Sequence, residues 1–143
     1  MISKRRLRVA WTISGLVILF MLFDSISKFF KPASVVKGTL SLGFSEHHIF
    51  VIGILGLLSA ILYMIPRFSV LGAILLTGYF GGAIATHVRL DNPLFTHTLF
   101  PVYIAVLAWA GIWLRNEDLR KLFPLKKKEQ TIGQKKLDQA NIS

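Results

Sequence analysis

Four stretches of this chain contain no charged residue and no histidine: Val9 to Phe23, Ile49 to Pro66, Phe68 to Thr86 and Thr98 to Leu114. They run 15, 18, 19 and 17 residues. Crossing a bilayer as a helix takes about 20 mostly apolar residues. The last three stretches nearly meet that length unaided. The first meets it if the helix continues through Asp24 and Ser25 toward Phe30, and the fourth lengthens if it begins near Pro93. The pattern predicts helices over about 8–30, 46–65, 67–88 and 94–115. Four such segments would leave almost no amphipathic surface to face water. The expected fold is therefore all-α: a multi-pass membrane four-helix bundle spanning residues 1–124. The run to Phe23 ends without a small-x-small cleavage site, so the first segment reads as a retained helix.

The links between segments are uneven. Pro66-Arg67 is nearly the whole connection between the second and third helices, which predicts a tight antiparallel hairpin. Asp91-Asn92-Pro93 joins the third to the fourth. The connection from Lys31 to Ser45 is longer, and is the one segment with room for a small lid. Leu119, Leu122 and Phe123 fall at i, i+3, i+4, so the fourth helix is expected to run on along the membrane surface to about 123. Residues 125–143 are basic and aperiodic and read as a disordered tail held near anionic headgroups.

Composition agrees with this picture. Hydrophobic residues make up 53%, charged residues only 17%, and mean hydropathy is +0.58. The net charge of +10 would suit a nucleic-acid binder if the basic residues were spread over a folded surface. Here they cluster outside the apolar segments, so no nucleic-acid partner is expected. Thirteen Lys/Arg fall in the two tails and the Pro66-Arg67 turn, against four on the opposite side. By the positive-inside rule both termini lie in the cytoplasm. The absence of cysteine removes thiolate chemistry and Cys-ligated metals.

The candidate chemistry lies where ionisable residues break the apolar background. Asp24 and Lys28 are i, i+4 on one helix face and are placed to pair. Asp24 sits about 24 Å along the helix from Arg8, still at hydrocarbon depth. A charge there normally faces the bundle interior with a partner. Glu46, His47, His87, Arg89 and His97 fall at the same level, as does His48. Together these form a candidate polar cluster at the outer end of the bundle. Its role is open between a structural ion pair, a ligand or proton-transfer site, and a snorkelling rim. Metal binding is not expected, because adjacent His47 and His48 cannot both face one ion from a helix. Gly78, Gly81 and Gly82 lie on the third helix, and Gly78/Gly82 form a GxxxG. They read as helix-packing positions within the chain or in a homodimer. Walker A, GxSxG, HExxH and dinucleotide motifs are absent from the sequence.

Several strings resemble the DoxX-like family of small bacterial membrane proteins. They are LGAILLTGYFGGAIATHVR (Leu71 to Arg89), PLFTHTLFP (Pro93 to Pro101) and WAGIWLRNEDLRKLFP (Trp109 to Pro124). The Asp24/Lys28 spacing, Leu42-Gly43 and the Tyr63-to-Arg67 turn also fit, so the resemblance runs over about residues 11–124. It implies a four-helix protein of the inner membrane. It also implies a link to quinone-dependent redox complexes, since the family takes its name from a membrane subunit of a thiosulfate:quinone oxidoreductase. More distant relatives act as assembly chaperones for membrane proteins. The expected function is thus a membrane subunit or accessory of a redox complex, with a quinone as the possible cofactor and a membrane redox protein as the possible partner. A non-enzymatic assembly factor or scaffold is the alternative.

Overall fold

The computed structural model describes residues 2–124 and 136–142. Four long helices carry the spans: α1 (Lys4–Phe30), α3 (Glu46–Met64), α4 (Ser69–Arg89) and α5 (Phe100–Arg115). A short helix α2 (Ala33–Ser41) lies between α1 and α3, and α6 (Glu117–Leu122) follows α5. A single 3-10 turn (Pro66–Phe68) joins α3 to α4, and a π-helical turn (Leu94–Thr98) leads into α5. Counting these turns, four segments are long and apolar enough to cross a membrane: Lys4–Phe30, Glu46–Met64, Pro66–Arg89 and Leu94–Arg115.

The helices pack in a ring in chain order. α1 lies against α3 and α5, and α4 lies against α3 and α5. Successive helices are antiparallel. Trp11 near the start of α1 meets Arg115 at the end of α5, while Lys31 just after α1 meets Glu46 at the start of α3. One end of the bundle therefore holds the start of α1 and the end of α5, here the tail end. The other, the loop end, holds α2 and the α4–α5 link.

At most 33% of each apolar span is buried inside the bundle. The rest points outward as Leu16, Leu19, Phe23, Phe50, Leu55, Leu58, Ile74 and Val106, all more than 40% exposed. So much exposed apolar surface needs lipid around it. The interior mixes Val17, Met21, Leu76, Phe80 and Ile112 with small or polar residues such as Ala60, Ala73, Ser14, Ser25 and Ser59. Lipid tails are as apolar as leucine, so the bundle gains little by segregating oil inward. It gains by close backbone approach and internal hydrogen bonds.

The glycines show where that approach occurs. A Cβ at Gly72 would collide with the backbone of Tyr63. At Gly56 it would meet Ser25 Oγ, and at Gly111 both Ser14 Oγ and Tyr63 Oη, at 2.5 and 3.1 Å. These positions set the α3–α4, α1–α3 and α1–α5 contacts. Gly78, Gly81 and Gly82 have no neighbouring atom within 4 Å of a Cβ. A side chain at any of the three would enter open space, and the closest intramolecular approach falls to Gly56, Gly72 and Gly111.

At the tail end Tyr63, fully buried, donates to Ala108 O at 2.7 Å and reaches Ser14 Oγ at 3.3 Å. It thereby ties α3 across the bundle to α1 and α5. The Arg115 guanidinium donates to Tyr63 O at 2.9 Å and stacks over Trp11 with 4.4 Å to the ring centroid. Asn116 then breaks the helix and caps α6 by accepting from the backbone N–H of Asp118 and Leu119. The expected continuation to 123 is thus a separate short helix. Trp113 Nε1 holds it by donating to Phe123 O at 3.0 Å. Residues 136–140 form an exposed helical turn, whereas 125–135 lie outside the described residues, and with them most of the expected disordered tail.

Gly72→Ala is expected to cost about 1–3 kcal/mol, the range for forcing atoms into a packed interior. Gly78→Ala, in open space on a helix, should hold or raise stability. Thermal unfolding in detergent checks both.

Candidate functional site

Asp24 lies in the last two turns of α1 and projects into the bundle near the loop end. Lys28 Nζ pairs with Asp24 Oδ2 at 2.5 Å and also donates to Asp24 O at 3.2 Å. Tyr79 of α4 donates its hydroxyl to the same Oδ2 at 3.1 Å. The carboxylate thus joins α1 to the diagonally opposed α4. The Lys28 side chain is 12% exposed and that of Asp24 34%, so the pair is shielded on one side and open on the other.

The open side is a cleft of about 430 Å³. Phe20, Phe44, Ile52, Phe80, Phe100 and Pro101 supply its apolar walls, and Asp24, Lys28, Thr39, Tyr79, Thr86 and His87 its polar groups. A second lobe of about 410 Å³ shares Asp24, Lys28, Thr39, Leu42 and His87, and extends past Asn92 and His97. Helix α2 covers this lobe with Val35, Gly38, Thr39 and Ser41. The long first connection, expected to have room for a small lid, contains this helix. Its flanks turn at Lys31 (φ 47°) and Gly43 (φ 82°), both left-handed, which lets it fold back over the cleft.

The structure divides the residues of the expected polar cluster. Asp24, Lys28 and His87 share the cleft, and His97 lies at its rim. The His87 and His97 rings stand 5.7 Å apart, edge to face, and His87 Nδ1 is 2.9 Å from Asn92 Nδ2. Arg89 is exposed, and its Nη2 donates to Leu42 O at 3.0 Å, clasping the end of α2 to α4. Glu46 pairs with Lys31 at 3.7 Å on the surface. His47 is exposed with its ring tilted against His48, which accepts from Ser45 N to close the α3 cap. These last residues fasten the loop end rather than line the cleft.

Thr39 carries no sequence signal of a site residue. Its helix is only nine residues long, and only the folded chain brings it to the cleft beside Asp24. Tyr79 stands next to the glycines in an apolar run, and nothing in that run marks it as the carboxylate's partner. Among the described residues no group of three His, Cys, Asp or Glu is gathered for a metal ion. The polar groups of the cleft can hydrogen-bond and exchange protons. Lys28 has three N–H donors and uses two on Asp24. One remains for an acceptor in the cleft.

Residues 12–111 match the DoxX-like family. The chain belongs to that family. The match begins inside α1 and ends inside α5, so the four spans of this DoxX-like protein and the whole cleft lie within it or at its margin. Comparison with curated proteins and with solved structures returned no match.

Removing one member of the Asp24–Lys28 pair leaves the other charge unanswered at hydrocarbon depth. Asp24→Asn and Lys28→Met should each lower stability by about 2 kcal/mol, below the range for a sealed pair because one side is open. The double variant should lose less than the two combined. Unfolding of all four proteins in one detergent, read as a double-mutant cycle, checks the coupling.

Proposed function

We propose that this DoxX-like integral membrane protein binds a quinone-like head in the loop-end cleft and serves as a membrane subunit or accessory of a redox complex. In this reading both tails face the cytoplasm across the inner membrane, as the distribution of Lys and Arg favours. The observation that carries the proposal is the cleft itself. Four phenylalanines and a proline surround a space of ring size, with one ammonium, one carboxylate and one phenol at its edge. Small-molecule sites commonly combine apolar walls with a few convergent polar groups, in volumes of about 300–1,000 Å³.

The residues fit such a head. Phe20 and Phe100 meet edge to face at 5.5 Å and offer apolar surface to a ring. The remaining Lys28 proton faces a carbonyl acceptor. Asp24 and Tyr79 hold Lys28 in place and keep the site neutral overall. A bound quinone would bring two-electron, two-proton redox chemistry, with His87 and His97 between the cleft and the loop-end surface as groups able to exchange protons. The electron donor would be a partner in the membrane.

Protein purified free of lipid quinone should gain melting temperature when a tail-less benzoquinone is added. Lys28→Met should bind that quinone about tenfold more weakly, the loss of one hydrogen bond to a charged donor. No quinone in native extracts and no shift on addition would overturn the proposal.

The alternative is a non-enzymatic assembly factor or scaffold. It is favoured by one observation, the unfilled face of α4 at Gly78 and Gly82, where a second membrane helix could approach closely. Under this reading Gly78→Leu removes a partner crosslinked in native membranes while quinone binding stays intact.

A further inference from the structure

A second cavity lies beside the cleft and plays no part in binding a head group. It is a groove of about 870 Å³ along the seam between α4 and α5. Its walls include Ile84, Val102, Val106, Trp109 and Trp113, and Leu119 and Phe123 close it at the tail end. Its polar side-chain groups are already paired. Thr77 Oγ1 donates to Ala73 O and accepts from Trp109 Nε1, both at 2.8 Å, and Trp113 Nε1 donates to Phe123 O. The groove offers an occupant apolar contact alone.

Groove and cleft adjoin at Phe80, which lines both. On α5 the cleft ends at Pro101 and the groove begins at the next residue, Val102. On α4 the cleft takes Tyr79, Gly82 and Ala83, while the groove takes Thr77, Gly81 and Ile84. From Val102 to Trp113 the groove follows α5 for about 16 Å. That is close to one leaflet of hydrocarbon, half of a core about 30 Å thick.

We infer that the ligand of the cleft is a long-chain amphiphile, its head beside Asp24 and Lys28 and its alkyl or isoprenoid tail lying in the α4–α5 groove past Phe80. This rests on the head-site reading above and adds the class of ligand: a molecule drawn from the bilayer rather than from water. Gly81 is then left without a side chain because the tail crosses it, which gives a physical use to a glycine that packs against nothing in the bundle.

The test compares two probes, dimethoxy-methyl-benzoquinone without a tail and its decyl derivative, on protein in nanodiscs. Comparing each probe across variants cancels its partition into lipid. Gly81→Leu fills the groove from a position with open space around it. It should weaken the decyl probe about tenfold, as expected for several methylenes put out of contact, and leave the tail-less probe unchanged. Val106→Trp, at a position 60% exposed and so harmless to the fold, should repeat the result. Gly82→Leu, which fills the cleft, should weaken both probes. If Gly81→Leu and Val106→Trp bind both probes as wild type does, the groove holds ordinary bilayer lipid and the inference fails while the head site stands. If wild-type protein binds neither probe, the head-site reading falls and this inference with it.

Discussion

In the hydrocarbon of a bilayer, a polar group finds a partner inside the protein or goes without. Asp24 illustrates what that requires. A carboxylate at this depth needs a cation on its own helix, and Lys28 one turn on supplies it. It also needs a donor from the far side of the bundle, and Tyr79 supplies that. Once both bonds exist, α1 and α4 are fixed in rotation and depth. The residues around them, Phe20, Phe80 and Phe100 among them, become the walls of a cleft instead of lipid-facing surface. At the tail end Tyr63 does the equivalent work for α3, α1 and α5, with Arg115 closing the layer.

Between these two polar layers the bundle is held by proximity. Gly56, Gly72 and Gly111 allow backbones to meet side chains and one another where any larger residue would intrude. Dispersion over such surfaces, with no hydrophobic drive between helices, is what packs membrane bundles. The same logic explains why α4 can leave Gly78, Gly81 and Gly82 bare. The bundle is already closed at other positions, so close approach does not depend on these three.

Membership of the DoxX-like family and the four spans make this an integral membrane protein. What distinguishes the chain physically is the placing of its few ionisable groups. Asp24, Lys28 and His87 converge on one cleft beneath α2, while Arg89, Glu46 and Lys31 hold the cover in place. The polar groups of the cleft and the clasps of the helix above it thus come from one level of the bundle, and only their geometry separates them.

The four spans could be read from the sequence because a bilayer imposes a length and a composition on each helix separately. No knowledge of packing is needed to find 15 to 19 residues without charge. The Asp24–Lys28 pair was legible for a similar reason: i, i+4 spacing on a helix is local geometry. Tyr79 as the carboxylate's second partner, Thr39 in the cover, the Tyr63–Arg115 layer and the glycines that carry packing were decided by tertiary structure. Each depends on which faces of different helices meet, and apolar runs with little periodic contrast do not encode that rotation. GxxxG drew the eye to Gly78 and Gly82. The folded chain gave the close contacts to Gly56, Gly72 and Gly111 instead, because their faces are the ones the two polar layers turn inward.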